Sequence, residues 1–434
     1  MDLSGKSRKT LLIAFAVETL SSTWCLKLHG WTPLFSILYL LSGIAIAITL
    51  LRFPQLRLPA LVARPWRSTA LQRGAILIGL TAIALYSWCL YWFDEMPIDI
   101  TNADMLPIIK VMAERFLAGQ HSHVYDPIPT IWHGVQPIYL PAMWLPYVPA
   151  IAMGIDMRWI AIAGLLFAFG AFLVLYKPSG SRGAFFLGVL AFLLFWWIVA
   201  DNTPGIVSVS EEGVVIGYYT LLVLSLVSGK PWLTGIAISL CMLSRYALVG
   251  WIPAYLLWLI LEKRIKQLSI ISLTGIGCFV LIFLVPVGWV TFLRLAYLPH
   301  DYISFAGRVW KDAPDVFSTA PGMAWFFGRN GTAILHDLLI LFSFTLPVAF
   351  TVYARRRGCN NVPLAALKLG LVIFYCFIDV PYLYLFYTSS LVSLLILALA
   401  MRASPAMRDS KAERDSQAER DSLALRDEGT ARAT

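Results

Sequence analysis

Charge is scarce in this chain and unevenly placed. Asp, Glu, Lys and Arg make up 14% of the 434 residues and hydrophobic residues 59%, against about 25% and about 45–50% in soluble domains. That shortage excludes an ordinary soluble enzyme. The net charge of +9 does not point to nucleic acid, because the basic residues cluster in short loops between apolar runs, as a membrane topology signal does. Cysteine is equally sparse. Six residues, at 25, 89, 241, 278, 359 and 376, are scattered singly, without the paired spacing of a zinc or redox site. GxGxxG, Walker and HExxH patterns are absent. His121, His123 and His133 share one loop but match no metal-ligand spacing. No cofactor is therefore expected, and a requirement for a divalent cation stays open.

What is present is apolar length. Runs near 20 residues, enough for a helix to cross about 30 Å of hydrocarbon, lie near 11–27, 31–51, 74–93, 137–154, 159–176, 184–200, 213–228, 231–262, 269–291, 332–354, 362–380 and 382–401. Backbone groups must be paired in lipid, and the alternating ten-residue segments of a barrel do not occur. The expected fold is all-α, a polytopic transmembrane helical bundle of about 11 to 13 membrane segments spanning residues 1–401. Residues 402–434 repeat KAERDS as QAERDS with few apolar side chains, and read as a charged, disordered tail.

Loop charge orients the bundle. Arg52, Arg57, Arg64, Arg67 and Arg73 stand in a stretch without acids, whereas residues 94–136 hold Asp94, Glu95, Asp99, Asp104, Glu114 and Asp126 against Lys110 and Arg115. The first loop is placed in the cytoplasm, with both chain ends, and the second outside. An odd number of crossings must then separate residues 94–136 from the basic loop at Lys177–Arg182. Pro137, Pro141, Pro146 and Pro149 make 137–154 the segment that does not cross, a re-entrant or surface-lying element. The 231–262 stretch, broken at Ser244 and Arg245, reads as two short helices that enter and leave on the cytoplasmic side.

Three external segments remain, 94–136, 292–331 and 201–212. In the first, Met105, Ile108, Ile109, Met112 and Phe116 share one helical face, opposite Lys110 and Glu114. This spacing predicts an amphipathic helix over 105–118 lying on the outer membrane surface and ended by Gly119.

Ionisable residues at a membrane boundary are costly and are candidates for function. Asp99 and Asp104 precede the amphipathic helix. Asp104 suits the N-cap, and as a carboxylate at the membrane surface it also suits a general base toward a sugar or lipid hydroxyl. Arg245, flanked by apolar residues in LCMLSRYALVGW, is either a snorkelling or helix-paired cation or a ligand for a lipid phosphate. Arg308 and Lys311, with His300 and Asp301, are either solvated loop charges or a second cationic group.

The order NADM, ERFLAGQ, VYDP, QPIYLPAMWLPYVPA and IDMRW between Asn102 and Trp159 resembles the integral-membrane glycosyltransferases of the GT-C class, in particular the bacterial polyprenyl-phosphate-mannose-dependent mannosyltransferases. EEGVVIGYYTLLVLSL followed by GKPWLTGIAISLCMLSRYALVGWIP is similar in layout to the second block of that family. The likeness runs over about residues 74–266. It implies a multi-pass protein of the bacterial inner membrane that moves a sugar from a polyprenyl-phosphate donor to a lipid or glycan acceptor on the external face. Asp104 would be the base, with Asp99 beside it, and Arg245, Arg308 and Lys311 would face the phosphate. Glu211, Glu212, Tyr139, His300 and Asp301 would line the groove. A transporter or lipid flippase is the alternative. It would show repeated hydropathy in the two halves, which the asymmetric loops do not.

Overall fold

The computed structural model describes residues 3–25, 27–58, 69–131, 134–176, 182–200, 205–296 and 302–402. His133, His300, Asp301 and the tail from 403 onward lie outside the described residues, so the readings placed on them have no structural counterpart. The described chain is all helical apart from one isolated bridge, Ile128 to Val135.

Helices α1 (Leu3–Trp24), α2 (Thr32–Leu50) and α3 (Thr69–Glu95) lead to α4 (Met105–Leu117). Two very short pieces, α5 (Pro141–Trp144) and α6 (Val148–Ala152), precede α7 (Arg158–Leu175), α8 (Arg182–Ala200) and α9 (Glu212–Ser228). Next come α10 (Pro231–Met242), α11 (Trp251–Leu261) and α12 (Ile265–Phe279), the last continuing through a π-helical turn into α13 (Val285–Val287). The chain closes with α14 (Trp289–Ala296), α15 (Tyr302–Asp312), α16 (Ala324–Phe327), α17 (Thr332–Arg356), α18 (Val362–Phe377) and α19 (Leu385–Arg402).

Among the described residues, six stretches are long and apolar enough to cross a membrane: Thr32–Leu50, Arg158–Leu175, Arg182–Ala200, Ile265–Val287, Arg329–Arg356 and Leu385–Arg402. Four shorter apolar helices of 10–17 residues accompany them. The protein is an integral, multi-pass helical bundle, with fewer full-length spans among the described residues than the apolar runs suggested. Part of the shortfall has a physical cause: proline and the Ser244–Arg245 break divide residues 137–154 and 231–262 into pieces too short to span alone, and α9 and α18 are only 17 and 16 residues long. Ile265–Val287 is on the outside of the bundle, with Leu273, Leu281 and Val285 exposed, whereas α19 is almost wholly enclosed. A continuous apolar exterior around a polar-containing interior is the arrangement lipid demands.

Contacts sort the loops into two ends. At one end Asn361 donates through Nδ2 to the carbonyls of Phe53 (3.1 Å) and Pro54 (3.0 Å) and accepts from the Leu56 amide (2.8 Å). The Arg355–Glu262 pair lies 2.5 Å apart, so the basic loops after α2, α11 and α17 share this end. At the other end the Arg158 guanidinium sits 3.8 Å from the Phe93 ring centroid and donates to the Met96 carbonyl at 2.7 Å. The end of α3 and the start of α7 therefore lie together, so 137–154 does not cross. Its helical core, residues 141–152, covers only about 18 Å at 1.5 Å per residue.

The amphipathic helix forms over Met105–Leu117, with Gly119 in the left-handed region (φ 74°) just beyond it. Its setting differs from the expectation. Leu106, Ile108, Ile109, Met112 and Ala113 are buried against protein, and Phe116 meets Trp144 at 5.3 Å. The proline-rich 141–152 segment supplies an apolar cover that would otherwise have been lipid.

Two devices hold the bundle in register. Helices α7 and α9 touch backbone to backbone, since a Cβ on Gly164 would lie 2.0 Å from the Gly213 carbonyl oxygen. Deep in the bundle, Lys368 Nζ on α18 donates to Glu18 Oε1 on α1 and to Ser389 Oγ on α19, both at 2.7 Å, and Ser393 Oγ donates to Glu18 Oε2 at 3.0 Å. This pairing accounts for an acid, Glu18, inside an otherwise apolar stretch of α1. Removing one partner strands a buried charge, which costs about 3–5 kcal/mol. Lys368→Met should therefore unfold in detergent well below the wild type, and adding Glu18→Leu should restore most of the loss; a double variant no more stable than the single one would contradict this account.

Candidate functional site

Arg245 is the centre of the opposite end. The chain leaves α10 at Met242, takes an extended conformation at Arg245 (φ −148°, ψ 152°) and resumes in a turn over Tyr246–Leu248 before α11. The two short helices read from the sequence are present. Their junction is held by the α5 turn, whose Ala142 amide donates to the Leu243 carbonyl (3.0 Å) while the Ala142 carbonyl accepts from Tyr218 Oη on α9 (2.9 Å).

Glu211 is the residue before α9 and Glu212 its first. Ser210 Oγ accepts from the Glu212 amide at 3.0 Å and fixes the turn into the helix, and acids suit this position because a helix start carries partial positive charge. Arg245 Nη2 donates to Glu211 Oε1 at 2.5 Å and lies 2.8 Å from Glu212 Oε2. Thr388 Oγ1, on α19, donates to Glu212 Oε1. The side chains of Glu211 and Glu212 are 1% and 0% exposed. Arg245 is thus a paired cation whose charge already has two carboxylates on it, and a phosphate could meet only what these leave over.

Several tyrosines lie within electrostatic range of the triad. Tyr139 lies within electrostatic range of Glu211, Asp104 and Arg245, and Tyr147 and Tyr384 within range of Glu211, Glu212 and Arg245. Tyr139 is set in place by Tyr125, whose Oη donates to the Tyr139 carbonyl at 2.8 Å and accepts from Trp144 Nε1 at 3.1 Å. Burial, with the negative charge of Glu211 and Asp104, pushes the Tyr139 phenol well above its ordinary range, so it remains a neutral hydrogen-bond donor. Tyr382, stacked on Tyr384 with centroids 5.7 Å apart, also lies within range of Asp104. Asp104 and Arg245 therefore occupy the same end of the bundle, both within electrostatic range of Tyr139.

Asp104 occupies the N-cap position of α4, but its side chain makes no capping hydrogen bond. The backbone there is helical (φ −89°, ψ −18°), whereas a capping side chain needs a non-helical residue. The cap expected from the sequence is not formed. Asp99 is exposed and engaged with its own turn. Its Oδ1 accepts from the Thr101 amide at 2.8 Å, which holds the carboxyl below the usual carboxylate range. Arg308 and Lys311 are exposed on α15, Arg308 lying 5.9 Å over Phe305. On α15, Tyr302 lies within electrostatic range of Arg245, Tyr246 and Asp379.

Several members of this region escaped sequence reasoning. His336, in the first turns of α17, lies 2.8 Å through Nδ1 from Asp379 Oδ2 at the end of α18. A lone histidine in an apolar run gives no local signal of a partner 43 residues on. No group of three or more His, Cys, Asp or Glu side chains among the described residues is arranged to hold a metal ion.

No family model matches the sequence, and neither a curated protein nor a solved structure matches it significantly.

The triad makes a stability prediction. Arg245→Ala leaves two carboxylates buried side by side, at a cost of about 3–5 kcal/mol, and should lower the unfolding temperature in detergent sharply. The triple change Arg245→Met, Glu211→Gln, Glu212→Gln should recover much of it. Equal stability of Arg245→Ala and wild type would show that the triad is not a buried charge cluster.

Proposed function

We propose that the protein is a membrane glycosyltransferase of GT-C-like architecture, with the larger number of membrane segments expected from the sequence, that moves a sugar from a polyprenyl-phosphate donor to a lipid or glycan acceptor. The reading places the reaction on the external face of a bacterial inner membrane, with both chain ends in the cytoplasm. The observation that carries it is that Tyr139 lies within electrostatic range of both Asp104 and the Arg245 cluster. A carboxylate, a guanidinium and aromatic rings at one membrane end suit a sugar. Carboxylates accept from hydroxyls, and ring faces cover the apolar face of a pyranose.

In this reading Asp104, not engaged as a helix cap, takes the proton of the attacking hydroxyl as the glycosidic bond to phosphate breaks. The departing phosphate needs hydrogen-bond donors where its charge develops. Arg245 Nη1 is a buried N–H without a hydrogen-bond partner among the described residues, and it is the donor this step would use, with Arg308 and Lys311 as cations at the rim. Glu211 and Glu212 then hold the guanidinium in place as well as lining the groove. The competing reading, a transporter or flippase, draws on the Glu18–Lys368 pair inside the bundle. That pair is enclosed and hydrogen-bonded to the serines of α19, which suits a rigid joint better than a moving charge.

The decisive measurement is transfer itself. Purified protein in nanodiscs, given a panel of radiolabelled polyprenyl-phosphate sugars and a membrane lipid extract as acceptor, should yield a new labelled glycolipid or glycan. Asp104→Asn should reduce its formation by about 10²-fold or more at unchanged unfolding temperature. Labelled product formed at the wild-type rate by Asp104→Asn would remove the base, and lipid or sugar flux across liposomes without any product would favour the transporter.

A further inference from the structure

The end of the bundle that bears the basic loops is almost without acid. Over residues 51–73, 176–182, 228–230, 262–266 and 354–361 the sequence holds a single carboxylate, Glu262. Arg355 takes up that charge at 2.5 Å. The pair joins the end of α11 to the end of α17, and so gathers the basic residues that follow each partner. Lys263, Arg264 and Lys266 come after Glu262, and Arg356 and Arg357 after Arg355. Residues 403–434 carry seven acids against six basic residues, so they do not offset this excess.

Three details show that the excess is displayed rather than dispersed. Lys263, Lys266, Arg356 and Arg357 are exposed. The two guanidiniums nearest the bridge lie over interfacial rings, Arg264 at 4.8 Å from the Trp258 centroid and Arg357 at 5.6 Å from that of Tyr353. A guanidinium resting on a ring keeps its N–H edge for an outside acceptor. Lys263 also stands in the left-handed region (φ 56°), at the position just past a helix end where α9 and α17 use Gly229 and Gly358. A lysine there carries a backbone cost that glycine would not. Beside the cations, Ile260 and Leu261 of α11 are exposed and apolar.

We propose that this patch, where α11, α12 and α17 meet, is a docking site for an anionic phospholipid. The headgroup phosphate sits on the five cations, with the forked donors of Arg356 and Arg357 suited to two of its oxygens, and an acyl chain runs beside Ile260 and Leu261. A soluble phosphate would use the cations and leave the apolar side chains idle. Basic clusters between membrane helices hold anionic headgroups in this way. The site is at the opposite end of the bundle from Arg245 and does not depend on the glycosyl-transfer reading.

The experiment counts lipids on the purified full chain by native mass spectrometry, with phosphatidylglycerol or phosphatidylcholine of the same chains added to the detergent. Phosphatidylglycerol should bind the more tightly, and Arg356→Gln with Arg357→Gln should weaken it about thirty-fold without changing phosphatidylcholine. Lys263→Gly should weaken it about five-fold while the unfolding temperature holds or rises, because the backbone is relieved. A control pair at the same end, Lys177→Gln with Arg182→Gln, lies in the α7–α8 connection. Helices α9 and α10 separate α7 from α12, more than the Debye length of about 8 Å, so this pair should leave binding within about two-fold. Equal losses from both pairs would reduce the patch to the general charge of this end and overturn the site. Indifference between the two lipids would overturn it as well. Displacement of phosphatidylglycerol by inorganic phosphate, at matched ionic strength, would overturn the lipid in favour of a soluble ligand.

Discussion

One buried electrostatic knot, Arg245 against Glu211 and Glu212, decides how this end of the molecule is built. A charge inside a bundle survives only when paired and hydrogen-bonded, so the members must be delivered accurately by separate parts of the chain. Arg245 comes from an extended break between two half-length helices, the acids from the start of α9, and Thr388 from α19. Four elements are thereby obliged to meet at one depth. The glycine contact of α9 with α7, where no side chain would fit, sets how closely the acids approach the rest. Pairing at the knot also reassigns Arg245, which is first a partner of carboxylates and only through its remaining N–H a ligand for anything else.

Much of this was legible in the sequence, because bilayers impose strong and simple rules. The apolar runs, the break at Arg245, the amphipathic helix with its stop at Gly119 and the failure of 137–154 to cross all follow from length, proline and loop charge. What eluded reading was partnership. Nothing around Lys368 in LAALKLG indicates that its counter-ion lies 350 residues earlier. Similarly, Glu211 and Glu212 read as an external acidic turn, whereas the fold brings a cation down onto them. Tyr147, Tyr302 and Tyr384 look like ordinary interfacial aromatics until the tertiary arrangement brings them within electrostatic range of Arg245.

The two errors of placement have different causes. Asp104 has the residue type and position of a cap, and α4 has the pattern of a surface helix. The second inference assumed that the neighbourhood would be water and lipid. The 141–152 segment instead folds over α4, with Trp144 and Tyr147 fully buried beneath it. Periodicity reveals that a helix has an apolar face, but not what will cover it. The cap failed for a local reason, since the chain is already helical at residue 104.

The Glu18–Lys368 pair also bears on how the protein is made. Helix α1 emerges from the ribosome with its acid in mid-span long before α18 exists. Its counter-ion arrives only after most of the other membrane helices have been threaded. An unpaired acid at the centre of a span costs about 2.5–3.5 kcal/mol on insertion scales, so α1 is a poor resident of lipid until the chain is nearly complete. Early α1 must shelter beside α2 or at the insertion machinery, and the arrival of α18 and α19 then locks it in. The final step of biogenesis would thus join the two ends of the membrane domain, and a chain truncated before Lys368 would leave its first helix unsecured.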